Sequence, residues 1–255
     1  MLVPTTTPLP PPRDQALFLD FDGTLVDIAP SPDSIELDPM LTHVLSRLHE
    51  QLHGAVAIVS GRPIAEIDGW LAPLTLPCAG GHGAECRSHR GLASLAAPAG
   101  LGKVTEQLAI LAAEHAGLWL EHKSASVALH YREAPELHAS LRAAITKLLQ
   151  CQPALRLLEG KHILEILPRQ VSKGRAIESF LQEPPFAGRR PVFLGDDVTD
   201  EAGFDFVQRH GGIAVKVGAG DSCARFRLDN PNAVRQWLFA AAGLTESTVP
   251  HANSA

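Results

Sequence analysis

The sequence predicts an α/β protein, a parallel sheet with helices on both faces, into which a smaller α+β unit is inserted. Three observations predict it. Short apolar runs end in polar turns, as strands buried on both faces do. These runs alternate with segments of helical periodicity, the rhythm of βαβ units. The rhythm stops near residue 85 and resumes after Pro168.

Ala16–Phe21 is the first apolar run and reads as a buried strand. Pro39 opens a helix with Leu41, Val44, Leu45, Leu48 and Leu52 on one face. "GAVAIVSGR" (Gly54–Arg62) is a second buried strand ending in a polar turn, and Pro63 begins a helix through Leu71. "LPCAGGHGAE" is a strand running into a glycine-rich turn. The middle of the chain then reads as helix, strand, strand, twice over. The first set is Leu101–His115, "LWLEHK" and "SVALHYR"; the second is Pro135–Leu149, "ALRLLEG" and "HILEILP", turned at Gly160–Lys161. Two αββ units of this kind make a mostly antiparallel sheet with two helices. After Pro168 come a helix over Lys173–Leu181, the strand "PVFLGDD", a helix over Asp200–Gln208 and the strand "GIAVKVG". Asn230–Ala242 is the closing helix, with Pro231 at its start. The expected organisation is a core of residues 15–84 and 169–243 with an inserted cap of residues 85–168. A Pro/Thr-rich disordered leader (1–14) and a flexible polar tail (244–255) flank it.

Composition bounds the function. The 255 residues are 45% hydrophobic and 20% charged, ordinary for a globular protein with a sizeable core. A net charge of -6 argues against a nucleic-acid binder held by phosphate contacts. It leaves room for an anionic small molecule, because a local cation or a metal overrides a weak global field. No apolar run approaches the ~20 residues of a membrane helix. The leader has no Arg-rich amphipathic targeting pattern, and the four cysteines include no CxxC pair. A reduced, cytoplasmic setting with no membrane and no nucleic-acid partner is the expectation.

Four polar clusters fall at strand ends, where open parallel sheets bind ligands. The first is Asp20-Phe21-Asp22-Gly23-Thr24. Paired carboxylates there can hold Mg2+, or supply a nucleophile and a general acid/base. The plain alternative is a strand-ending Asp turn, but D-x-D-G-T after an apolar run is more particular than D-x-D alone. The second is Ser60-Gly61-Arg62, a hydroxyl and backbone N–H groups suited to an anion, or else a helix cap with a surface arginine. The third is Lys173, a point charge for phosphate or a solvated lysine. The fourth is Gly195-Asp196-Asp197-Val198-Thr199-Asp200, whose crowded acids suit a divalent cation or a helix N-terminus.

In that order the clusters resemble the haloacid-dehalogenase (HAD) superfamily of aspartyl-phosphate phosphatases, over about residues 15–84 and 169–243. The resemblance implies a HAD-like Rossmannoid core. No Walker-type phosphate loop is present. The insert narrows the match. "GGHGAE" (Gly80–Glu85), the Glu121-x-Lys123 strand, the "LHYR" strand with His130 and Arg132, and the "GKHILEILP" hairpin with Glu165 resemble the trehalose-6-phosphate phosphatase family.

That resemblance implies a small sugar phosphate as substrate, with Glu121, Lys123 and Glu165 on the distal glucose hydroxyls. It implies Asp20 as nucleophile and Asp22 as acid, then base. It implies that Ser60 and Lys173 hold phosphate oxygens, with Gly61 and Arg62 beside them in the substrate site, and that Mg2+ would be held by an Asp20 carboxylate oxygen, the Asp22 carbonyl and Asp196. Thr24, Asp197 and Asp200 support, the last two unranked. Plainer readings stay open for the cap: Glu121 with Lys123 as a surface pair, Glu165 paired with Arg169, and His130 as a satisfied half-buried histidine. Arg132 stands between a sugar contact and a cap ion pair, Tyr131 packs, and His82 shapes the junction turn. Competing functions are a phosphatase for another sugar phosphate such as sucrose 6-phosphate, a phosphomutase, and a non-catalytic sugar-phosphate sensor.

Overall fold

Strand β1 (Gln15–Leu19) runs through the middle of an eight-stranded sheet, and its residues from Ala16 to Leu19 are wholly buried. This is a computed structural model, and it describes residues 14–28, 35, 37–160 and 162–244. The expected leader and tail lie almost wholly outside the described residues, as does Lys161.

Helix α1 (Pro39–Gln51) follows β1, capped by the Asp38 side chain on the Met40 N–H, and leads to β2 (Val56–Val59). Helix α2 (Ile64–Leu71) leads to β3 (Cys78–Gly80). A tight turn at Gly81–Gly83 reverses the chain into β4 (Glu85–Ser88) and β5 (Gly91–Ser94). The middle of the chain contains α3 (Leu101–Glu114), β6 (Trp119–His122), β7 (Val127–His130), α4 (His138–Leu149), β8 (Leu155–Gly160) and β9 (Ile163–Pro168). The chain then returns through α5 (Lys173–Leu181), β10 (Arg190–Gly195), α6 (Glu201–Arg209), β11 (Ile213–Val217), β12 (Phe226–Leu228) and α7 (Pro231–Ala241).

The large sheet has the order β12-β11-β10-β1-β2-β3-β4-β5, parallel from β12 to β3 and antiparallel beyond. From β1 the chain steps one way to β2, and from β10 it steps the other way to β11. Right-handed crossovers in opposite directions put their helices on opposite faces. Accordingly α1 packs on α7, and α5 packs on α6. The reversal lies between β1 and β10, so a crevice opens at their carboxyl ends. Phe18, Phe180 and Phe186 fill the core beneath it, with ring centroids 5.1–6.0 Å apart.

The second sheet has the order β6-β7-β9-β8 and is wholly antiparallel. One face buries Val127, Leu129, Leu164 and Ile166 against α3 and α4 in a hydrophobic cluster separate from the main core. Strand alternation sends Glu121, His130 and Glu165 to the other face. Both αββ units are therefore present.

Two features depart from the sequence reading. Residues 85–94 were expected inside the insert without strands, but β4 and β5 pair with the large sheet. Neither carries an apolar run: β4 is half-buried and every residue of β5 is exposed. The short edge strand β12 was also not foreseen. None of the helices among the described residues is long and apolar enough to cross a membrane.

Candidate active site

Asp20 stands one residue beyond β1, where its N–H donates to Leu194 C=O of β10 at 3.0 Å. The register with β10 thus aims it into the crevice. Its Oδ1 accepts from Lys173 Nζ at 2.6 Å and its Oδ2 from Thr24 Oγ1 at 3.1 Å. Lys173 opens α5, whose N-terminus Ser172 caps. Its ammonium also reaches Asp200 Oδ1 at 2.7 Å. The other Asp200 oxygen accepts the N–H groups of Asp196 (3.1 Å) and Asp197 (3.0 Å). Asp200 is therefore fully engaged in shaping the turn after β10. Asp197 completes a reciprocal cap with it and faces the cleft.

Carboxylate oxygens of Asp20, Asp196 and Asp200 lie within 4.8 Å of one another. Burial, the largest effect, pushes Asp20 up to about 7, against the pull of Lys173. Burial and the nearby Asp20 push Asp196 up to about 8. Burial raises Asp200 as well. Lys173 is driven upward by Asp20 and Asp200 in spite of its own burial. A hard divalent cation fits this donor set: oxygen ligands, excess negative charge and a carboxylate of Asp196 not tied down by Lys173. Gly23, at φ 74, leaves the Asp196 carboxylate its space; a Cβ there would overlap it.

Asp22 has a different partner. Arg62 grips its carboxylate bidentately, Nε–Oδ2 at 2.6 Å and Nη2–Oδ1 at 2.8 Å. The guanidinium is held in turn by Glu66 and by the Trp70 ring, 4.6 Å from its centroid. Ser60 is buried and its Oγ accepts from the Arg62 N–H at 3.1 Å. It does not cap α2, whose N-cap is Pro63.

The cap supplies the opposite wall. Glu165, 3% exposed, accepts from Ser126 Oγ (2.6 Å) and Lys123 Nζ (3.3 Å), with His82 Nε2 at 3.4 Å. Burial alone would raise it, but His82, Lys123 and Ser126 together hold it at about 2. The alternative pair with Arg169 is not formed; that guanidinium binds the carbonyls of Pro153 and Leu155. Glu121 meets His130 Nε2 at 2.9 Å, a contact that lowers its pKa, and His130 stacks on Trp119 at 3.6 Å. Tyr131 packs in the cap core.

Between the walls lies a cavity of about 420 Å³. It brings together Asp20, Asp22, Ser60, Gly61, Arg62, Glu121, Lys123, Arg132, Glu165, Lys173, Asp196 and Asp197. Of the residues picked from sequence, only Thr24 and Asp200 stand behind its surface. Sequence reasoning missed Ser126 on Glu165 and Lys216, and had Glu85 only as the end of the junction motif, where it joins the Ile64 N–H to Ser124 Oγ. Buried Lys216 donates to the Asp196 carbonyl at 2.5 Å; a lone lysine at a strand end was its one signal.

The chain is similar to known proteins over most of its length. The family described as Trehalose-phosphatase matches residues 18–232. Over 225 residues the chain is 42% identical to the trehalose-6-phosphate phosphatase of Escherichia coli (strain K12), covering 88% of this chain and 85% of that one. It is 42% identical over 205 residues to a probable trehalose-phosphate phosphatase of Sinorhizobium fredii, covering 80% and 77%. Among solved structures, the C-terminal domain of the C. albicans trehalose-6-phosphate phosphatase superposes with a TM-score of 0.79 at 24% identity, covering 91% and 93%, and supports the fold.

Proposed function

The chain belongs to the trehalose-phosphatase family and is a phosphoric monoester hydrolase, and on that premise we propose that it converts trehalose 6-phosphate to trehalose and phosphate through an aspartyl-phosphate on Asp20, with Mg2+ as cofactor. One observation carries the reading. A single cavity has phosphate chemistry at one end and sugar-suited hydrogen-bonding groups at the other.

Asp20 attacks phosphorus in line, and Ser60 and Lys173 hold the non-bridging oxygens. Asp22 gives its proton to the leaving sugar oxygen. It then takes one from the water that hydrolyses the aspartyl-phosphate, so its carboxyl ends the cycle as it began. In the structure both Asp22 oxygens accept from Arg62, so Asp22 takes up the proton it later donates only once one arm of that fork has let go. Asp20, the Asp22 carbonyl and Asp196 would hold Mg2+, with Asp200 and Lys216 fixing the turn that carries Asp196. Bound there, the cation neutralises charge between a carboxylate nucleophile and an anionic phosphate. Glu121, Lys123 and Glu165 read the hydroxyls of the distal glucose, which need strong donors and acceptors. A reducing, cytoplasmic setting goes with four free thiols.

The test is phosphate release from a panel of sugar phosphates, with Mg2+ and with EDTA. Trehalose 6-phosphate is expected to lead in kcat/KM, and EDTA to stop turnover. Preference for sucrose 6-phosphate, or full activity in EDTA, would overturn the substrate or the cofactor assignment respectively.

A further inference from the structure

Gly81, His82 and Gly83 all have positive φ, at 54°, 59° and 107°. Two are glycines, for which that conformation is free of strain. His82 is not, so the turn keeps a side chain against its local backbone preference. Strain of this kind points to a use for the side chain.

The ring lies between the two halves of the cleft. The His82 N–H donates to the Ser60 carbonyl at 2.8 Å. Its imidazole sits over Gly61; a Cβ on Gly61 would come within 2.6 Å of Cε1 and 2.8 Å of Nε2. The same Nε2 is 3.4 Å from Glu165 Oε2. One buried side chain thus touches both the phosphate-side turn of the core and a sugar-facing strand of the cap.

The chemistry fixes the tautomer. Glu165 is held as a carboxylate and can only accept, so Nε2 carries the proton. Burial pushes the imidazole below its ordinary value, favouring the neutral ring. Nδ1 is buried without a hydrogen-bond partner, so the ring's polar anchor is Glu165 alone. Ser126 binds Oε1 of that carboxylate, whereas Lys123 and His82 share Oε2.

We propose that His82 is a positioning residue: it locks the Glu165 carboxylate in its sugar-reading orientation against the Ser60–Gly61 turn, and so couples phosphate binding to sugar selectivity. Gly61 is then required as the seat of the ring as well as for its backbone N–H. The inference rests on the cleft being a sugar-phosphate site.

The experiment compares His82→Ala, His82→Gln and His82→Asn, each confirmed as folded by circular dichroism. Trehalose 6-phosphate and 4-nitrophenyl phosphate are the substrates. A Gln amide N–H can reach the place of Nε2; an Asn amide cannot. The ratio of the two kcat/KM values is expected to fall at least about tenfold in His82→Ala, the loss of one hydrogen bond to a charged group. The Gln variant should recover most of it and the Asn variant little. Equal losses on both substrates, no loss, or equal rescue by Asn would overturn the proposal. A second measurement is independent of substrate. Ring 15N shifts should report His82 as neutral with Nε2 protonated, and an imidazolium or an Nδ1–H tautomer would overturn the contact. Wild-type failure on trehalose 6-phosphate alone, with that tautomer present, would instead count against the substrate reading.

Discussion

Two carboxylates two residues apart would repel if they shared one environment. Asp20 and Asp22 do not: Lys173 holds the first and Arg62 the second. Separate cations suit the proposed division of labour, Asp20 as nucleophile and Asp22 as proton exchanger. Glu165 is the complementary case, an acid held far below its ordinary value of 4.5, at about 2. A depressed folded-state value stabilises the protein above the unfolded value, and that stability is lost as pH falls through the folded one. The window therefore runs from about 4.5 down to about 2. A shift of that size corresponds to roughly 3 kcal/mol. Urea denaturation of the wild type and Glu165→Gln should show the wild type ahead at pH 7. The gap should narrow below pH 4.5; a gap constant from pH 7 to pH 3 would count against the ionised, buried carboxylate.

At the scale of elements, α5 places Lys173 and must lie close to α6 to do so. The close approach is at Gly174, where a Cβ would stand 2.5 Å from the Ala202 carbonyl. Backbone cannot yield there as a flexible side chain would. Gly174→Ala is expected to destabilise by about 1–3 kcal/mol, the usual cost of overpacking. It should also lower kcat on every phosphate ester, because it moves the lysine. Thermal melts and kinetics on two substrates check both parts; an unaltered melt would contradict the packing argument. The elements legible in the sequence were those with a one-sided or fully apolar pattern, such as β1, α1 and the cap strands β7 and β9. The edge strands β4, β5 and β12 lack such a pattern, since sheet edges bury little. The same division holds in the site. Asp20, Asp22 and Asp196 were legible because acids crowd the ends of apolar strands, and Lys173 only through its order among those clusters. The Arg62 grip on Asp22 and the His82 contact with Glu165 were not, because each joins distant parts of the chain through side-chain geometry alone.

Across the whole molecule, the described residues form three hydrophobic clusters: one under the crevice, one inside the cap, and a small one of Ala84, Ala125, Leu167 and Val171 where cap and core join. The residues proposed for catalysis and for sugar reading thus stand on largely separate supports, which meet at the cavity. Damage to recognition should leave the other side less affected. Glu121→Ala is expected to reduce kcat/KM for trehalose 6-phosphate by roughly 10-fold or more, consistent with loss of a charged hydrogen bond to substrate, and to affect 4-nitrophenyl phosphate far less. Equal losses measured on the two esters would contradict a sugar-reading cap. The arrangement also orders events on the ribosome. The cap is one continuous stretch and has all its strands once β9 emerges. The core is split, and β1 waits for a neighbour whose first partner, Arg190, pairs with Gln15. Asp20 waits likewise for Lys173, 153 positions later. Domains tend to fold as they are synthesised, so the nascent chain completes the cap sheet that carries Glu121 and Glu165 before Asp20 has its counter-charge. The proposed catalytic pocket is completed last, when the carboxyl-terminal strands close around a strand made first.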